Sequence, residues 1–318
     1  MTKLLAAGLL AVLAASTQNL SHAASTCDRA CLKGMVDSYL AALVAHDPSK
    51  VPIAADARFV EDTVRTKLGE GLWKTATAVP TTFKIYVPDP TAQQVGFIGI
   101  MSENGKPIEL GLRLKLRDGQ IVEMEHLIAR DLPERSLRNL QMPRPGLLAT
   151  VPATQRTPRE QMLRIGASYY EALVSADSND APFAEDCVRR ENGMQTSSNP
   201  APATPGPGTV GAMSCGPQLK THRFDYIKRI EPRRVWIADV QTGMVFGLSQ
   251  FRHPMKEGAV QIVGVPGVSE VSLSGRDGKP IKPFDMPAAH IFKVRAGKIH
   301  EIEAMGFTEG YESKTGWE

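Results

Sequence analysis

Two ionisable side chains in the second half of the sequence suit general acid–base catalysis. His290 begins an alternating stretch in which His290, Phe292 and Val294 share one strand face, so the imidazole is predicted on an apolar surface. Glu191 follows two arginines in the run 189–192. Chemistry next to a carbonyl, an epoxide or a leaving group needs a positioned acid and base, and histidine and carboxylates are the usual suppliers. His290 and Glu191 are therefore the predicted catalytic residues.

Both residues also have a purely structural interpretation. A buried histidine can have both ring nitrogens hydrogen bonded within the core, and a carboxylate beside arginines can be an ion pair. These interpretations stay open on the sequence alone.

A second group of side chains is predicted to bind the substrate. His222, Phe224 and Tyr226 alternate, so they share a face if residues 224–230 form a strand, and Tyr169 and Phe292 complete the set. A histidine and a tyrosine on an apolar face suit an aromatic or phenolic ligand, although an ordinary core has the same composition. The first half of the chain has a comparable but less polar group: Glu61, Trp73 and His126.

Composition and missing motifs exclude several other functions. The 318 residues are 42% hydrophobic and 22% charged, as in a folded protein. The net charge is only +3 and the two signs are interspersed, so the sequence predicts no basic surface for binding nucleic acid. The sequence contains no Gly-x-Ser-x-Gly elbow, no Walker loop and no Gly-x-Gly-x-x-Gly after a predicted strand. Neither a cofactor nor a metal is predicted, because no histidine has metal-ligand spacing from a cysteine pair.

The N-terminal segment has the layout of a secretory signal peptide. Lys3 precedes a short apolar run over 4–15, and Ser21-His22-Ala23 forms a small-x-small cleavage site. The apolar run is too short to cross a bilayer, so the protein is not predicted to be membrane-embedded. We predict a signal peptide over 1–23, a mature chain beginning at Ala24 or Ser25, and export to the periplasm or the medium.

An internal repeat organises the rest of the chain. Residues 38–44 recur at 168–174 with an offset of 130, whereas 115–125 recur at 293–303 with an offset of 178, so the second copy holds 48 extra residues. The repeats are predicted at 27–131 and 157–308. A proline-rich linker, 132–156, separates them, and a tail, 309–318, follows.

Each copy is predicted to be an α+β domain. Apolar residues with helical spacing begin both copies, and alternating stretches follow, with Asn104-Gly105 and Asp118-Gly119 as hairpin signals. A leading helix packed on one face of a bent antiparallel sheet accounts for this order. The predicted strands are 82–88, 96–101, 108–116 and 121–129 in copy one, and 224–230, 235–240, 244–251, 288–294 and 298–305 in copy two.

Four cysteines remain after signal cleavage, and an even number in an exported chain favours disulfides. Three pairings are formally open. The repeat favours Cys27 with Cys31 and Cys187 with Cys215, because each pair then lies within one copy.

The final hairpin, 290–299 with Glu301 and Glu303, resembles SnoaL-like members of the NTF2-like superfamily. Residues 27–73, with Leu72-Trp73 after Gly69-Glu70-Gly71, and residues 186–193 are similar to a group of exported or fungal proteins that carry this domain. The resemblance implies two tandem cone-shaped domains of a kind that encloses a pocket. In that superfamily the pocket serves isomerases, dehydratases, lyases, epoxide hydrolases and cyclases, and also members without catalysis.

Two functions follow as hypotheses. The first is a cofactor-independent lyase, dehydratase or isomerase that acts on a small, partly apolar organic molecule in an enclosed pocket of the second repeat. The second is a non-catalytic exported module for small-molecule binding or assembly, in which the two repeats form a pseudo-dimer. A small molecule is the expected partner in both, and a homodimer is compatible with either.

Overall fold

A computed structural model describes residues 26–204, 206–275 and 277–318. The predicted signal peptide, 1–23, lies outside these residues. In the described part of the chain, no helix combines the length and the apolar character that crossing a membrane requires.

The first repeat begins with helix α1 (Arg29–Val44), whose apolar stripe packs on a sheet. Asp28 caps the helix, because its side chain accepts a hydrogen bond from the Cys31 amide at 2.8 Å. A single 3₁₀ turn (Pro48–Lys50) and a short helix, α2 (Leu72–Thr75), follow it.

Seven strands form the sheet of the first repeat, in the order β2-β1-β7-β6-β5-β3, with β4 also paired to β5. Asn104 and Asp118 take the left-handed conformation in the turns between β5, β6 and β7, as the hairpin signals predict. Only β1 runs parallel to its neighbour, β7. The strands are β1 (Ile53–Glu61), β2 (Val64–Arg65), β3 (Ala76–Ala78), β4 (Lys84–Asp89), β5 (Gln94–Glu103), β6 (Lys106–Arg117) and β7 (Gln120–Ala129).

The predicted linker region is folded rather than extended. It contains helices α3 (Glu134–Asn139) and α4 (Pro145–Leu148) and a 3₁₀ turn, Ala153–Gln155. The buried ammonium of Lys293, in the second repeat, donates to the carbonyl of Leu147 at 3.0 Å, so the linker is attached to the second sheet.

The second repeat follows the same plan with insertions. Helix α5 (Arg159–Ser175) corresponds to α1, a 3₁₀ turn (Ser178–Asp180) follows it, and the insertion adds α6 (Pro207–Ala212) and α7 (Cys215–Leu219). The sheet order is β10-β11-β14-β15-β8-β9, with β16 paired to β14 and a separate hairpin of β12 and β13. The strands are β8 (Phe183–Glu191), β9 (Met194–Gln195), β10 (Arg229–Asp239), β11 (Met244–His253), β12 (Ala259–Gln261), β13 (Glu270–Ser272), β14 (Phe284–Arg295), β15 (Lys298–Gly306) and β16 (Glu309–Gly310).

The predicted fold class is confirmed: both repeats are α+β, with a leading helix on a bent, mainly antiparallel sheet. The structure also contains the two disulfides that the repeat favours, Cys27–Cys31 and Cys187–Cys215, and no free cysteine among the described residues.

The predicted strand 224–230 is wrong over most of its length. Residues 221–226 form consecutive turns after α7, and β10 begins only at Arg229. His222 takes a left-handed backbone conformation and its amide donates to the carbonyl of Leu219 at 3.0 Å, so alternation in this stretch does not reflect a strand.

The two sheets pack against each other through the faces that their own helices leave uncovered. A shared apolar cluster joins residues such as Ile85 and Ile98 of the first repeat to Phe246 and Met305 of the second. Gly96 allows the first sheet to approach Phe246 of the second sheet closely, because a Cβ atom at position 96 would lie 2.2 Å from Cγ of Phe246. The repeats therefore form a pseudo-dimer within one chain.

A buried carboxyl group at this interface predicts a pH-dependent stability. Burial raises the pKa of Glu303 to about 7, although Arg144 and Arg190 oppose the shift, and burial together with the charge of Glu303 raises the pKa of Glu109. An unfolded glutamate has a pKa of about 4.3, so the folded state binds the proton more tightly. The stabilisation is present below about pH 4.3 and is lost as the pH rises through about 7.

We expect Glu303→Gln to be about as stable as wild type near pH 4 and more stable, by up to about 3 kcal/mol, near pH 8. Urea unfolding of both proteins across this range measures the difference. A difference that stays constant with pH would show that Glu303 does not titrate in this window.

Candidate functional site

A cavity of about 240 Å³ lies in the second repeat, between α5 and the sheet face that this helix covers. Its walls are mostly apolar and aromatic, with a few polar groups directed inward, as in ligand-binding pockets generally. The lining residues that matter below come from α5 (Tyr169), β8 (Arg189, Glu191), the turns after α7 (Phe224, Tyr226), β11 (Phe251, His253), β14 (His290) and β15 (Ala304).

The second repeat differs from the first at three core positions that line the cavity. Leu112 pairs with His126 across β6 and β7, and His290 pairs with Ala304 across β14 and β15, so the two pairs are equivalent. The offset of 130 residues matches Phe59 to Arg189 in the same way. A buried imidazole in the first repeat is thus replaced by a methyl group in the second, and two apolar side chains are replaced by ionisable ones.

In the first repeat the equivalent space is filled by a hydrogen-bonded network. The His126 ring is 0% exposed and lies 2.9 Å from the Tyr39 hydroxyl through Nε2 and 3.0 Å from Glu61 Oε2 through Nδ1. Glu61 also accepts from the Leu72 amide at 3.0 Å. Phe59 packs edge-on against the imidazole. Glu61 and His126 of the predicted group therefore form a hydrogen-bonded core, in which Trp73 is buried with its indole Nε1 unpaired.

Arg189 is the buried cation of the cavity, with 1% exposure. Its Nε donates to Thr196 Oγ1 at 3.0 Å and lies 3.1 Å from Glu191 Oε1, and its Nη2 donates to Gln218 Oε1 at 2.5 Å. The guanidinium carbon lies 4.8 Å from the centre of the Phe224 ring. Its Nη1 is buried and has no hydrogen-bond partner.

His290 lies in a cage of aromatic rings. It stacks against Phe251 and Phe292, with ring centres 5.5 and 5.7 Å apart, and meets the edge of Tyr170. The residue is 2% exposed and its Nδ1 has no partner. Burial lowers the pKa of His290 to about 3, and the positive charge of Arg189 adds to the shift. The imidazole is therefore neutral at physiological pH.

His253 also lines the cavity, although it is not among the predicted site residues. It stacks on Phe284 with ring centres 4.2 Å apart and on Tyr226 at 5.6 Å. Its Nδ1 is buried without a partner, and burial lowers the pKa of the ring to about 4. His253 lies two residues after Phe251 on β11, so the two side chains share one strand face. This alternation is the sequence feature that could have placed His253 at the cavity.

Tyr169 and Glu191 complete the polar lining. Burial raises the pKa of Tyr169 to about 12, with the charge of Arg189 opposing the shift, so its hydroxyl stays protonated. The Glu191 side chain is 41% exposed, so it lies where the cavity meets solvent. A fixed cation, a neutral imidazole, a phenol and a carboxylate thus surround one apolar space, which suits proton transfer to and from a bound molecule.

The structure brings five of the seven predicted catalytic and binding residues to this cavity: Tyr169, Glu191, Phe224, Tyr226 and His290. Phe292 does not line the cavity, and its ring stacks against the ring of His290. His222 does not reach the cavity. Its side chain is 43% exposed and pairs with Asp225 at 3.1 Å, because the segment turns where a strand was predicted. The described residues contain no group of side chains arranged to hold a metal ion.

The sequence matches a single protein-family description in two stretches. The description reads "Domain of unknown function (DUF8021)", and the match covers residues 25–128 and 155–306. The matched stretches correspond to the two repeats of the fold. No curated protein matches the chain.

Solved structures of the size of one repeat resemble part of the chain at low identity. A proposed polyketide cyclase from Silicibacter sp. TM1040 is 12% identical with a TM-score of 0.29, over 46% of this chain and 90% of that one. IdmH, a proposed polyketide cyclase from Streptomyces antibioticus, is 18% identical with a TM-score of 0.26, over 46% and 91%. A protein of unknown function with a cystatin-like fold from Methylobium petroleophilum PM1 is 15% identical with a TM-score of 0.28, over 49% and 82%.

Proposed function

The chain belongs to the family described as Domain of unknown function (DUF8021), and we propose that its second repeat is a cofactor-independent lyase, dehydratase or isomerase. The substrate is a small, partly apolar organic molecule held in the cavity of that repeat. His290 acts as the acid–base group, and Glu191 and Tyr226 assist it.

One observation supports this proposal above the others. At equivalent positions of two repeats with the same fold, the first has side chains that fill the space and the second has a cavity lined by ionisable groups. A change that only relaxed the packing would leave apolar walls, whereas here Leu112 and Phe59 correspond to His290 and Arg189. Leaving polar atoms such as His290 Nδ1 buried without partners costs stability, which suggests a function at this place.

The proposed chemistry follows from the charge states of the site. The neutral imidazole of His290 accepts a proton from the substrate carbon next to a carbonyl group. Negative charge then develops on the carbonyl oxygen while positive charge develops on the ring, and the two stabilise each other in a low-dielectric space. Return of the proton to a neighbouring atom completes an isomerisation. Departure of a leaving group that takes a proton from the Tyr226 hydroxyl completes an elimination, and the proton on His290 then returns to the phenolate through solvent or through the Glu191 carboxylate.

We also propose that the protein is exported and that its domains follow the repeat. The signal-like segment 1–23 and the disulfides Cys27–Cys31 and Cys187–Cys215 support export, because disulfides persist in oxidising compartments. The proposed units are 27–131, 157–308, the intervening linker 132–156 and the tail 309–318.

A non-catalytic binding or assembly module is the second candidate. The apolar interface between the two sheets favours it, because an assembly module built from two repeats is expected to bury such a surface between them. In that case the cavity would bind a molecule without changing it.

Untargeted metabolite profiling in D₂O tests the catalytic proposal. Wild-type protein is incubated with a small-molecule extract, and mass spectrometry records both depleted compounds and compounds that gain deuterium. Proton abstraction and return by an enzyme in D₂O labels its substrate or product, so we expect at least one labelled compound. His290→Leu, which installs the side chain of the first repeat, should reduce the rate of labelling about 100-fold or more.

His300→Ala is the matched control, because His300 is a histidine of the same hairpin that pairs with Asp186 at 2.7 Å and does not line the cavity. It should label at the wild-type rate. Equal labelling by wild type and His290→Leu would contradict the role of His290. Binding without any labelling or depletion would favour the non-catalytic module.

A further inference from the structure

We propose that the ligand of the second-repeat cavity carries a carboxylate group, which pairs with Nη1 of Arg189, and an apolar body that lies against the aromatic wall. This inference rests on the proposed function, because it names the substrate class of the same cavity. The same carboxylate site would bind a ligand even if the protein were not catalytic.

The hydrogen-bonding capacity of Arg189 points to a missing acceptor. A guanidinium has five N–H donors, and here Nε and Nη2 meet Thr196, Glu191 and Gln218. Nη1, with two donors, is buried in the wall of the cavity and makes no hydrogen bond, although the Tyr169 side chain lies close enough to the guanidinium for Arg189 to lower the pKa of that phenol. Buried charged groups with unpaired donors are costly, and a carboxylate is the acceptor that forms the strongest hydrogen bonds with a guanidinium.

The surroundings hold the guanidinium in place before any ligand binds. Gln218, which accepts from Nη2, is itself fixed because its Nε2 donates to the carbonyls of Thr196 and Val210 at 2.8 and 3.0 Å. The disulfide Cys187–Cys215 joins β8, two residues before Arg189, to the start of α7. The Arg189 amide donates to Ser197 Oγ at 2.8 Å. A cation fixed in this way loses little conformational entropy on binding an anion.

The charges near the cavity favour an anion. Glu191 is the negative group that faces Arg189, but it meets Nε rather than Nη1 and is partly solvated. Arg223 lies over the ring of Tyr226, 5.7 Å from its centre, and adds positive charge at that end. His290 is neutral and therefore does not attract the anion, but it can donate or accept one hydrogen bond.

The volume and the lining fit an acid with a small ring. An apolar cavity of about 150 Å³ is enough to hold benzene in other proteins. The cavity here measures about 240 Å³ and is lined by Phe224, Phe251 and Phe284. A ring-sized body with one carboxylate is thus the simplest occupant.

Benzoate and benzamide, which have the same shape and differ in charge, are the probes that test this proposal. Isothermal titration calorimetry measures the affinity of the folded protein for each. We expect wild type to bind benzoate about tenfold more tightly than benzamide, the size of effect that a charge-assisted hydrogen bond in a buried site produces. Arg189→Met should abolish this preference and leave benzamide binding within a few-fold of wild type.

Two further variants keep the test decisive if Arg189→Met folds poorly. Gln218→Glu places a carboxylate against Nη2 and removes the donor to the Thr196 and Val210 carbonyls, so benzamide affinity reports any structural change, and benzoate binding should weaken about tenfold relative to benzamide. Arg159→Met removes an arginine that pairs with Asp89 outside the cavity and should keep the wild-type preference.

Three results would overturn the carboxylate site: equal affinity of wild type for both probes, a benzoate preference that survives in Arg189→Met and Gln218→Glu, or binding of neither probe at millimolar concentration. None of them affects the deuterium-labelling test of His290. The failure of this inference is therefore distinguishable from the failure of the proposed function.

Discussion

Ala304→His should occupy the part of the second-repeat cavity beside His290, keep the protein folded and abolish its deuterium labelling. The substitution installs the residue that the first repeat has at this position, where His126 lies 2.9 Å from Tyr39 and 3.0 Å from Glu61. The second repeat has Tyr169 and Glu191 at the equivalent positions, so the introduced imidazole finds both hydrogen-bond partners. We expect a melting temperature equal to or above that of wild type and a loss of labelling of about 100-fold or more.

Ala304→Ser is the control for this prediction. A hydroxyl group adds little volume, so the cavity remains and labelling should stay well above that of Ala304→His. Retained activity in a folded Ala304→His protein would contradict the assignment of the site to this cavity. A strongly lowered melting temperature would show that the two repeats are not equivalent at this position.

His126→Ala should destabilise the first repeat by about 3 to 5 kcal/mol. The change removes a fully buried ring together with its two hydrogen bonds, and it leaves the Tyr39 hydroxyl without its partner and Glu61 with only the Leu72 amide. An unsatisfied buried polar group costs about 1 to 3 kcal/mol, and the space left behind adds a cavity term. Urea unfolding followed by tryptophan fluorescence measures the loss, because Trp73 packs edge-on against Tyr39.

His126→Gln is the matched variant, since an amide retains part of the volume and hydrogen-bonding capacity. It should lose about half as much stability as His126→Ala. An unfolding midpoint of His126→Ala equal to that of wild type would contradict the interpretation of this network as the core of the first repeat.

The position of His290 was predictable because strand periodicity is a local property. Residues 290–295 alternate, β14 has no irregularity between residues 284 and 293 of its pairing with β11, and the alternation therefore placed His290 with Phe292 on the helix-covered face. The hairpins at Asn104-Gly105 and Asp118-Gly119 were predictable for a related reason, since the turn chemistry lies within two residues.

The role of Arg189 was not predictable from its neighbours. In sequence it stands in a charged run that suggests a solvated ion pair, and only the tertiary structure makes it the most buried group of that run. Its burial depends on Gln218 and Phe224, which the insertion delivers from about 30 residues away. The prediction that His222 lines the site was wrong for the opposite reason. Its alternation with Phe224 suggested a strand, but the segment forms turns.

The cavity was predictable from the sequence by comparing equivalent positions of the two repeats. Once the offset of 178 is known, Leu112 and His126 can be compared directly with His290 and Ala304. The replacement of a histidine by an alanine at a core position indicates lost volume, and the replacement of a leucine by a histidine indicates gained chemistry. The parallel pairing of β1 with β7 and of β8 with β15 carries no comparable signal, because it joins strands that are distant in sequence.

We propose that the second repeat holds a ligand site and that side chains fill the equivalent space in the first repeat. The position of a bound small molecule in a crystal tests both statements together. Crystals of the wild-type protein are soaked with benzamide, which does not depend on the carboxylate inference. We expect one molecule against His290 and Arg189 and none between Leu112 and Tyr39. A molecule ordered at the first-repeat position, or a second-repeat cavity that stays empty in the soaked crystals, would contradict this expectation.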